Sequence, residues 1–279
     1  MLGLPIKMLK NIFIIISCLF YCFLITRVEQ ADRIIFMDVG AGDSTLIQHK
    51  GKNIIVDGGP SDNLLYKLKD YGLSIDPHFD HVFLTHYHDD HYSGLMELTN
   101  RYEIGELVTV QRCDHNDRFK RLGFPPGLKI TQVQAGDQIT VNNDLVISIV
   151  YPIGGTNGQC VIPNITNEND NSLVTLLQVN EANYLLMGDA EKRAEHNIIQ
   201  SFNFSRVDVL KAGHHCSKTS NSRSFVKAID PRLIICSTSK DNKFGHPSQE
   251  VVDMFIQEGY EYFVTYQEGD VIIPLIKNK

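Results

Sequence analysis

The chain has 279 residues, of which 43% are hydrophobic, and its formal net charge at pH 7 is −7. This length suits one large α/β domain or two small ones, and the composition permits a substantial core. Three of the 26 basic residues lie within the first 27 positions, which hold no acidic residue. The rest of the chain therefore contains 23 basic and 33 acidic residues and is clearly acidic. This balance excludes the extended basic surface that duplex nucleic acid requires, although bound metal ions would still supply local positive charge.

The N-terminal segment predicts export. Lys7 and Lys10 precede an apolar run over residues 12–25, and a polar segment follows. An apolar run of about 14 residues is short for a membrane span and typical of a secretory signal peptide. We therefore expect residues 1–31 to be a signal peptide and residues 32–279 to form a periplasmic or secreted domain. A retained signal anchor, which would keep the N-terminus in contact with a membrane, is the alternative.

The first part of this domain alternates strands with tight turns. Apolar and β-branched residues predict strands at 33–37, 44–49 and 53–56. Gly-rich turns follow at 38–43 and 57–59, where glycine permits positive φ and leaves room beside a site. Asp57 in the second turn either caps that turn or orients a histidine ligand. Ser61 is a plausible N-cap for a helix that ends near Tyr71.

The strongest pattern in the chain follows a short apolar strand at 82–84. His86, His88, Asp90 and His91 are spaced H-x-H-x-D-H, and imidazole and carboxylate groups are ligands for Zn²⁺ and similar divalent ions. A loop that leaves a strand directs His86 and His88 to one point, while Asp90 and His91 open the next helix and face a second point. The spacing therefore predicts a two-metal site. A polar loop whose histidines only cap or meet solvent is the less favoured alternative.

Further elements lead to a second carboxylate. Strands are predicted at 106–110 and 145–150, with a polar insert or short helix at 111–130 between them. The loop at 151–171 is rich in Gly, Pro and Asn and is a candidate rim for the site. A hairpin at 172–179 and 183–187 ends at Asp189, which is either a ligand that bridges two metals or the N-cap of a helix at 190–199.

A strand at 207–211 ends just before a pair of histidines. One of the two should be the final ligand, and strand geometry favours His214, with His215 as the alternative. The last elements are predicted at 232–236, 249–258, 262–266 and 271–275. A polar loop between the first two carries His246 at the same strand edge, which makes it a candidate to hold a substrate oxyanion. The irregular alternation of strands and helices suits a four-layer αββα sandwich with the ligands at one end.

The cysteines leave the redox state open. Beyond the N-terminal segment the chain contains Cys113, Cys160, Cys216 and Cys236. An even number in an exported protein permits disulfides, but Cys236 lies in a predicted buried strand, where small buried thiols are common. No pairing is predicted.

The H-x-H-x-D-H segment, Thr85-His86-Tyr-His88-Asp-Asp90-His91-Tyr-Ser-Gly94, resembles the signature of the metallo-β-lactamase superfamily of hydrolases. Other segments occur in the order found in the metallo-β-lactamase-like domain of ComEC-type competence proteins: Asp38-Val-Gly40-Ala-Gly42-Asp43-Ser44, Asp57-Gly58-Gly59, Asn171-Ser172-Leu173-Val174, Gly188-Asp189-Ala190, Lys211-Ala-Gly213-His214-His215-Cys216-Ser217 and Gly245-His246-Pro247. The resemblance covers about residues 33–276. The family usually has Gly where Cys216 stands, so a thiol there either packs, tunes the site or binds metal.

This resemblance implies a metallo-β-lactamase-like α/β sandwich and a set of site residues. The implied metal ligands are His86, His88, Asp90, His91, Asp189 and His214. The implied catalytic groups are Asp90, Lys211 and His246, and the implied substrate-binding groups are Ser217, Ser220 and Asn242. Two divalent ions are expected, with Zn²⁺ first. The superfamily's usual third histidine for the first metal is missing, because no His occurs between His115 and His196. Asp170 is the candidate replacement; the alternative is a weaker first site, with only one metal bound. Oxygen ligands make Mn²⁺ or Mg²⁺ the alternatives to Zn²⁺.

These features together predict a metal-dependent hydrolase that acts on phosphodiesters through a metal-activated water. The low net charge favours small-molecule or single-stranded nucleic-acid substrates. Two other functions compete with this one: an acyl or lactam hydrolase of the same superfamily, and an exported binding module without catalysis.

Overall fold

The computed structural model describes residues 15–17, 32–73, 78–111, 115–154 and 167–275, with only the backbone described at 115–118. The chain divides into two units, Met1–Ala31 and Asp32–Lys279. In the first unit only the helical residues 15–17 are described, so the predicted signal peptide lies almost wholly outside the described residues. No helix within the described ranges is long and apolar enough to cross a membrane. Residues 155–166 of the predicted rim loop also lie outside these ranges.

The second unit contains two seven-stranded mixed sheets. The first has the strand order β14-β1-β2-β3-β4-β5-β6, and the second has the order β13-β12-β11-β10-β9-β8-β7. The strands are β1 Arg33–Phe36, β2 Thr45–His49, β3 Lys52–Val56, β4 His78–Leu84, β5 Glu103–Val110, β6 Ile130–Val133, β7 Gln138–Asn142, β8 Leu145–Tyr151, β9 Val174–Val179, β10 Ala182–Leu186, β11 Val209–Lys211, β12 Leu233–Cys236, β13 Glu261–Val264 and β14 Val271–Pro274.

Seven helices accompany the strands of this unit in the described residues. They are α1 Asn63–Asp70, α2 Asp89–Arg101, α3 His115–Leu122, α4 Lys192–Ser201, α5 Arg223–Ile229, α6 Gln249–Glu258 and α7 Thr265–Glu268. Several elements of the structure were not predicted from the sequence, among them helices α5 and α7. Strands β6 and β7 were not predicted, since most of their residues are only partly buried or exposed and carry little apolar signal. Helix α2 begins at Asp89, one residue before the predicted opening pair Asp90 and His91, so that Asp89 and Asp90 complement its N-terminal dipole.

Three apolar clusters define the layers. Side chains of both sheets, such as Phe36, Ile54, Ile147 and Leu177, meet in the central cluster. The outer face of the first sheet packs against apolar residues of α1 and α2, and the outer face of the second packs against those of α4, α5 and α6. Each fully buried aliphatic or aromatic side chain contributes about 1.5–3 kcal/mol relative to exposure. The predicted four-layer αββα sandwich is confirmed.

Parallel pairing collects the functional loops at one edge. Strands β3, β4 and β5 run parallel in the first sheet, and β10, β11 and β12 run parallel in the second. The segments that carry Asp57, His86, Asp189, His215 and His246 all follow the carboxyl ends of these strands. Strand ends are where α/β proteins build their sites, because the backbone there leaves the sheet and exposes side chains.

Close backbone contacts fix the start of α2 against the neighbouring turns. A Cβ atom on Gly94 would lie 1.9 Å from the carbonyl oxygen of Gly58, and one on Gly42 would lie 2.3 Å from that of Asp90. Any larger residue at these positions would force the helix away from the turns. The glycines therefore position Asp90 and His91 relative to the turn that carries Asp57.

Candidate metal centre

Four side chains from three loops converge at this edge. Asp90, His91, Asp189 and His215 each offer one ligand atom, and these atoms all lie within 4.8 Å of one another. His91 Nε2 is 3.3 Å from Asp189 Oδ1, and His215 Nε2 is 3.3 Å from Asp90 Oδ2 and 3.5 Å from Asp189 Oδ2. We refer to these four residues as the tetrad. Two nitrogen and two oxygen donors at this spacing suit a divalent ion such as zinc.

Unsatisfied buried atoms support this assignment. His91 Nε2 and Asp189 Oδ1 are both buried and face each other as an ion pair at 3.3 Å, but neither makes a hydrogen bond in the described structure. Buried polar atoms are rarely left without partners, and an ion between them would satisfy both. The residues present therefore fit a metal ion.

The charges in the tetrad are strongly coupled. Burial would raise the pKa of Asp189, but His215, His91 and His86 hold it well below the ordinary value. Burial would lower the pKa of His91 and of His215, but the charge of Asp189 raises both. Asp57 raises the pKa of His91 further, and Asp43 raises that of His215. The pKa of His91 is raised well above its ordinary value and that of His215 is raised to about 10. The carboxylates of the tetrad thus favour a positive charge on the imidazoles that they face.

His91 is held by a buried carboxylate. Its Nδ1 lies 2.7 Å from Asp57 Oδ2, and Asp57 also accepts hydrogen bonds from the backbone N–H and the hydroxyl of Thr85. Burial raises the pKa of Asp57, which His91 partly offsets. A carboxylate on Nδ1 fixes the ring so that Nε2 is free to bind metal. Of the two interpretations of Asp57, the geometry favours the one that orients a histidine.

His215 is held by a second network. Its Nδ1 lies 2.9 Å from the carbonyl oxygen of Ser237 and 3.2 Å from Asp43 Oδ1. Asp43 is paired with Lys211, whose ammonium also donates to the carbonyl of Gly188 at 3.0 Å. Burial would raise the pKa of Asp43, but Lys211 and His215 lower it.

The position of Lys211 therefore does not match the catalytic role predicted for it. It is 3% exposed and lies beneath the tetrad, where it supports Asp43, instead of facing a substrate. The strand pattern at 207–211 did not predict that this lysine is buried. A lysine at the end of a buried strand can equally well extend its side chain into solvent.

His215, and not His214, joins the tetrad. His214, His215 and Cys216 adopt left-handed φ angles of 46°, 55° and 62°, so the strand alternation on which the prediction rested does not extend into this turn. His214 Nδ1 instead lies 3.0 Å from Glu191 Oε1 and 3.0 Å from Thr219 Oγ1. The geometry thus favours His215, the alternative of the two histidines, as the candidate ligand.

The first predicted metal position is less complete. His86 is buried, and its Nε2 lies 3.0 Å from His88 Nδ1 and 3.9 Å from Asp189 Oδ2. His88 is exposed. Asp170 is buried on a short helical turn, where burial and the neighbouring Glu191 raise its pKa. No hydrogen bond or ion pair between Asp170 and either histidine occurs in the described residues, so the third ligand of this position is not identified.

The predicted substrate-binding side chains mostly form hydrogen bonds to the backbone of the loops that carry them. Ser217 and Ser220 are buried, and Ser220 Oγ donates to the carbonyl of Gly213 at 2.7 Å. Asn242 Nδ2 donates to the carbonyls of Ser239 and His246, both at 2.6 Å. These three side chains shape the loops around the tetrad and are not free to meet a substrate.

His246 lies beside the tetrad, as its position at the strand edge suggested. Its ring centroid is 6.4 Å from that of His215 and 5.4 Å from that of His214. Burial, together with the two histidines, lowers its pKa to about 4, so the ring is neutral at pH 7. Its Nδ1 is buried and makes no hydrogen bond in the described part of the chain.

Two features of this region were missed from the sequence. Glu191 accepts from Asn167, Asn169 and Thr219 beside His214, and only its position two residues after Asp189 could have pointed to it. Cys216 and Cys236 form a disulfide with a Cα–Cα distance of 5.5 Å. Both are fully buried, and their bond ties the turn that carries His215 to the end of β12.

Comparison with known proteins agrees with this fold. The sequence model of the metallo-beta-lactamase superfamily matches residues 37–138. Among solved structures, the metallo-beta-lactamase fold protein YhfI from Bacillus subtilis has a TM-score of 0.57 at 14% identity, covering 87% of this chain and 99% of that one. The CmlA beta-hydroxylase E377D mutant has a TM-score of 0.58 at 13% identity, covering 87% and 54%. The chain thus resembles the metallo-beta-lactamase superfamily in the sequence of residues 37–138 and in its fold.

Curated relatives narrow the resemblance. ComE operon protein 3 of Bacillus subtilis (strain 168) is 23% identical over 276 residues, which cover 91% of this chain and 34% of that protein. Recombination protein 2 of Haemophilus influenzae is 27% identical over 272 residues, which cover 90% and 31%. The chain therefore spans about a third of the length of these relatives. The predicted resemblance to competence-type proteins is confirmed.

Proposed function

We propose that the protein hydrolyses phosphodiesters of single-stranded nucleic acids or nucleotides. The observation that carries this proposal is the charge of the loops beside the tetrad. Residues 213–221 and 237–247 contain Lys218, Lys240 and Lys243, all exposed, and a single acidic residue, Asp241. A phosphodiester is anionic throughout its reaction, so cations around the site favour both its binding and its transition state.

The side chains divide the chemistry between them. Asp90, His91, Asp189 and His215 would hold a divalent ion, with His86 and His88 beside them for a second. Such ions lower the pKa of a water nucleophile toward neutrality and stabilise charge on the phosphoryl oxygens. Neutral His246, whose buried Nδ1 makes no hydrogen bond in the described residues, would orient an oxygen of the substrate. Asp57 and Asp43 keep the ligand rings from rotating.

The relatives support a nucleic-acid substrate indirectly. Human tRNase Z, short form, has a similar fold, with a TM-score of 0.50 at 12% identity. The curated relatives carry names that refer to competence and recombination. A lactam hydrolase would need an apolar groove, whereas the described loops next to the tetrad are mainly polar.

The test is a hydrolysis screen with purified protein loaded with Zn²⁺ or Mn²⁺. Single-stranded DNA, duplex DNA, a chromogenic phosphodiester and a lactam are compared, with Asp189→Ala as the inactive control. We expect turnover of the diester and of single-stranded DNA, with weaker cleavage of duplex. Turnover of the lactam with every phosphodiester left intact would overturn the proposal. Full metal content without turnover of any substrate would favour a binding module.

We also propose that the protein is exported. The lysine-flanked apolar run at 12–25 motivates this, and the Cys216–Cys236 disulfide supports it because such bonds persist in oxidising compartments. N-terminal sequencing of protein recovered from the cell envelope or the medium should show a chain that begins near residue 32, or an intact chain in the membrane fraction if the segment is retained as an anchor. A full-length chain found only in the cytosol would contradict export.

A further inference from the structure

A rigid loop presents one aromatic ring to solvent beside the tetrad. In residues 239–247 the side chain of Asn242 bonds to Ser239 O, His246 O and His246 N, at 2.6, 2.6 and 2.8 Å. Gly245 has a φ of +70°, which the turn requires and which other residues adopt only with strain. The loop is therefore held in one conformation by its own hydrogen bonds.

Phe244 is the most exposed large hydrophobic side chain in the described residues, at 67%. Its ring is nearly parallel to that of His246, with 5.9 Å between centroids and 19° between planes. Lys243 Nζ lies 4.9 Å from the centroid of the Phe244 ring. Single exposed apolar residues are ordinary on protein surfaces, so exposure alone would mean little.

The exposure of Phe244 is significant because its ring lies close to the tetrad. Centroid distances of 5.9 Å from Phe244 to His246 and 6.4 Å from His246 to His215 connect the ring to a metal ligand. A nucleotide whose phosphate lies at the tetrad could thus hold a neighbouring base against Phe244. Lys243 lies beside the same ring, and Lys240 belongs to the same loop. Both lysines are exposed and can meet the backbone phosphates.

We infer that Phe244 is a stacking platform for a nucleobase next to the scissile phosphate, with Lys243 and Lys240 as its phosphate contacts. Aromatic rings interleaved with cations are the general means of binding single strands without reading sequence, because every base has a π face. The small size of this surface agrees with the acidic balance of the whole chain, which leaves no extended basic track. The inference rests on the proposed phosphodiesterase function and specifies its substrate as base-bearing.

The chain contains a matched control. Tyr66 on α1 is 61% exposed, and Lys69 Nζ lies 4.9 Å from its ring centroid. This pair reproduces the chemistry of Phe244 and Lys243, but Tyr66 has no ring contact with a histidine of the site in the described structure. Replacing Tyr66 should therefore leave the kinetics unchanged.

The experiment compares two chromogenic diesters, thymidine 5′-p-nitrophenyl phosphate and methyl p-nitrophenyl phosphate, which lacks a base. Phe244→Ala should raise KM for the thymidine diester about tenfold or more, as expected for the loss of one stacking contact. KM for the methyl diester and the bound metal should stay the same, and Phe244→Trp should retain the wild-type preference. Tyr66→Ala is measured in parallel.

A binding assay tests base stacking on Phe244 independently of the proposed phosphodiesterase activity. Anisotropy of labelled oligothymidine and of an abasic strand of equal length is measured with wild type and Phe244→Ala. Loss of preference for oligothymidine in Phe244→Ala supports stacking even if no diester is hydrolysed, in which case only the phosphodiesterase proposal falls. If wild type hydrolyses both diesters and Phe244→Ala changes both equally or neither, the stacking inference alone is wrong. If wild type shows neither hydrolysis nor binding, both are wrong.

Discussion

The tetrad and the His86–His88 pair lie side by side but differ in how they are supported. In the tetrad both imidazoles have a carboxylate partner, Asp57 on His91 and Asp43 on His215. Within the described residues, His86 has only the hydroxyls of Thr85 and Ser172 near its Nδ1, at 3.1 and 3.4 Å. His88 is exposed and its Nδ1 contacts His86 itself.

This difference teaches that ligand residues alone do not make two equal metal positions. Partners behind a ligand fix its ring and raise its basicity, and they matter nearly as much as the ligand. We therefore expect the tetrad to bind the first ion tightly and the His86–His88 position to bind a second ion weakly. The following predictions test this ranking, beginning with the largest expected effect on metal binding.

Removing a tetrad ligand should have the largest effect. His215→Ala should lower metal affinity by more than about 100-fold, since the loss even of a supporting partner costs about 10–100-fold. Its neighbour supplies the control, because His214 contacts Glu191 and Thr219 instead of the tetrad. His214→Ala should keep its metal, as measured by elemental analysis after dialysis. The reverse result would return the ligand role to His214.

Weakening the support behind His215 should have the next largest effect. Asp43→Asn removes the charge between Lys211 and His215 and leaves Lys211 buried without its anion. Metal affinity should fall about 10–100-fold, measured by competition with a chromogenic chelator. Asp270→Asn serves as a control, because Asp270, which is partly buried, is likewise the partner of a lysine, Lys67, but contacts no tetrad residue in the described chain. Equal losses in the two variants would show that the effect is general destabilisation.

Removing the exposed ligand should affect only the second ion. His88→Ala should reduce the metal stoichiometry from two toward one, while the affinity of the remaining ion is unchanged. Isothermal titration with Zn²⁺ would show the loss of the weaker binding step. If the tighter step disappeared instead, the ranking of the two positions would be inverted.

Breaking the disulfide should change metal affinity least and stability most. Cys216 and Cys236 close a loop of sequence separation 20. The chain-entropy argument gives about 3 kcal/mol of the free energy of unfolding for such a loop. The double variant Cys216→Ala/Cys236→Ala should therefore unfold at lower denaturant concentration and still bind metal at 25 °C. A reductant should reproduce the shift in wild type and have no effect on the double variant.

Much of the fold and part of the site could be predicted from local pattern. The apolar runs before His86, Asp189 and His214 correctly predicted strands. The turns that follow these runs predicted that the three residues lie at the same edge of the fold. The H-x-H-x-D-H spacing placed Asp90 and His91 at the start of a helix, where the structure has them. These inferences hold because strand and helix periodicities are properties of short segments.

Side-chain direction inside the irregular turns depended on tertiary contacts. Three successive left-handed residues turn His215 inward and His214 toward Glu191, and no local pattern of non-glycine residues announces such a turn. The place of Lys211 was equally hidden, since its burial is tolerable only because Asp43, 168 residues earlier, supplies the opposite charge. The pairing of Cys216 with Cys236 likewise required two strand ends to meet. The residues capable of the chemistry are thus recognisable along the chain, whereas the contacts between distant segments decide which of them perform it.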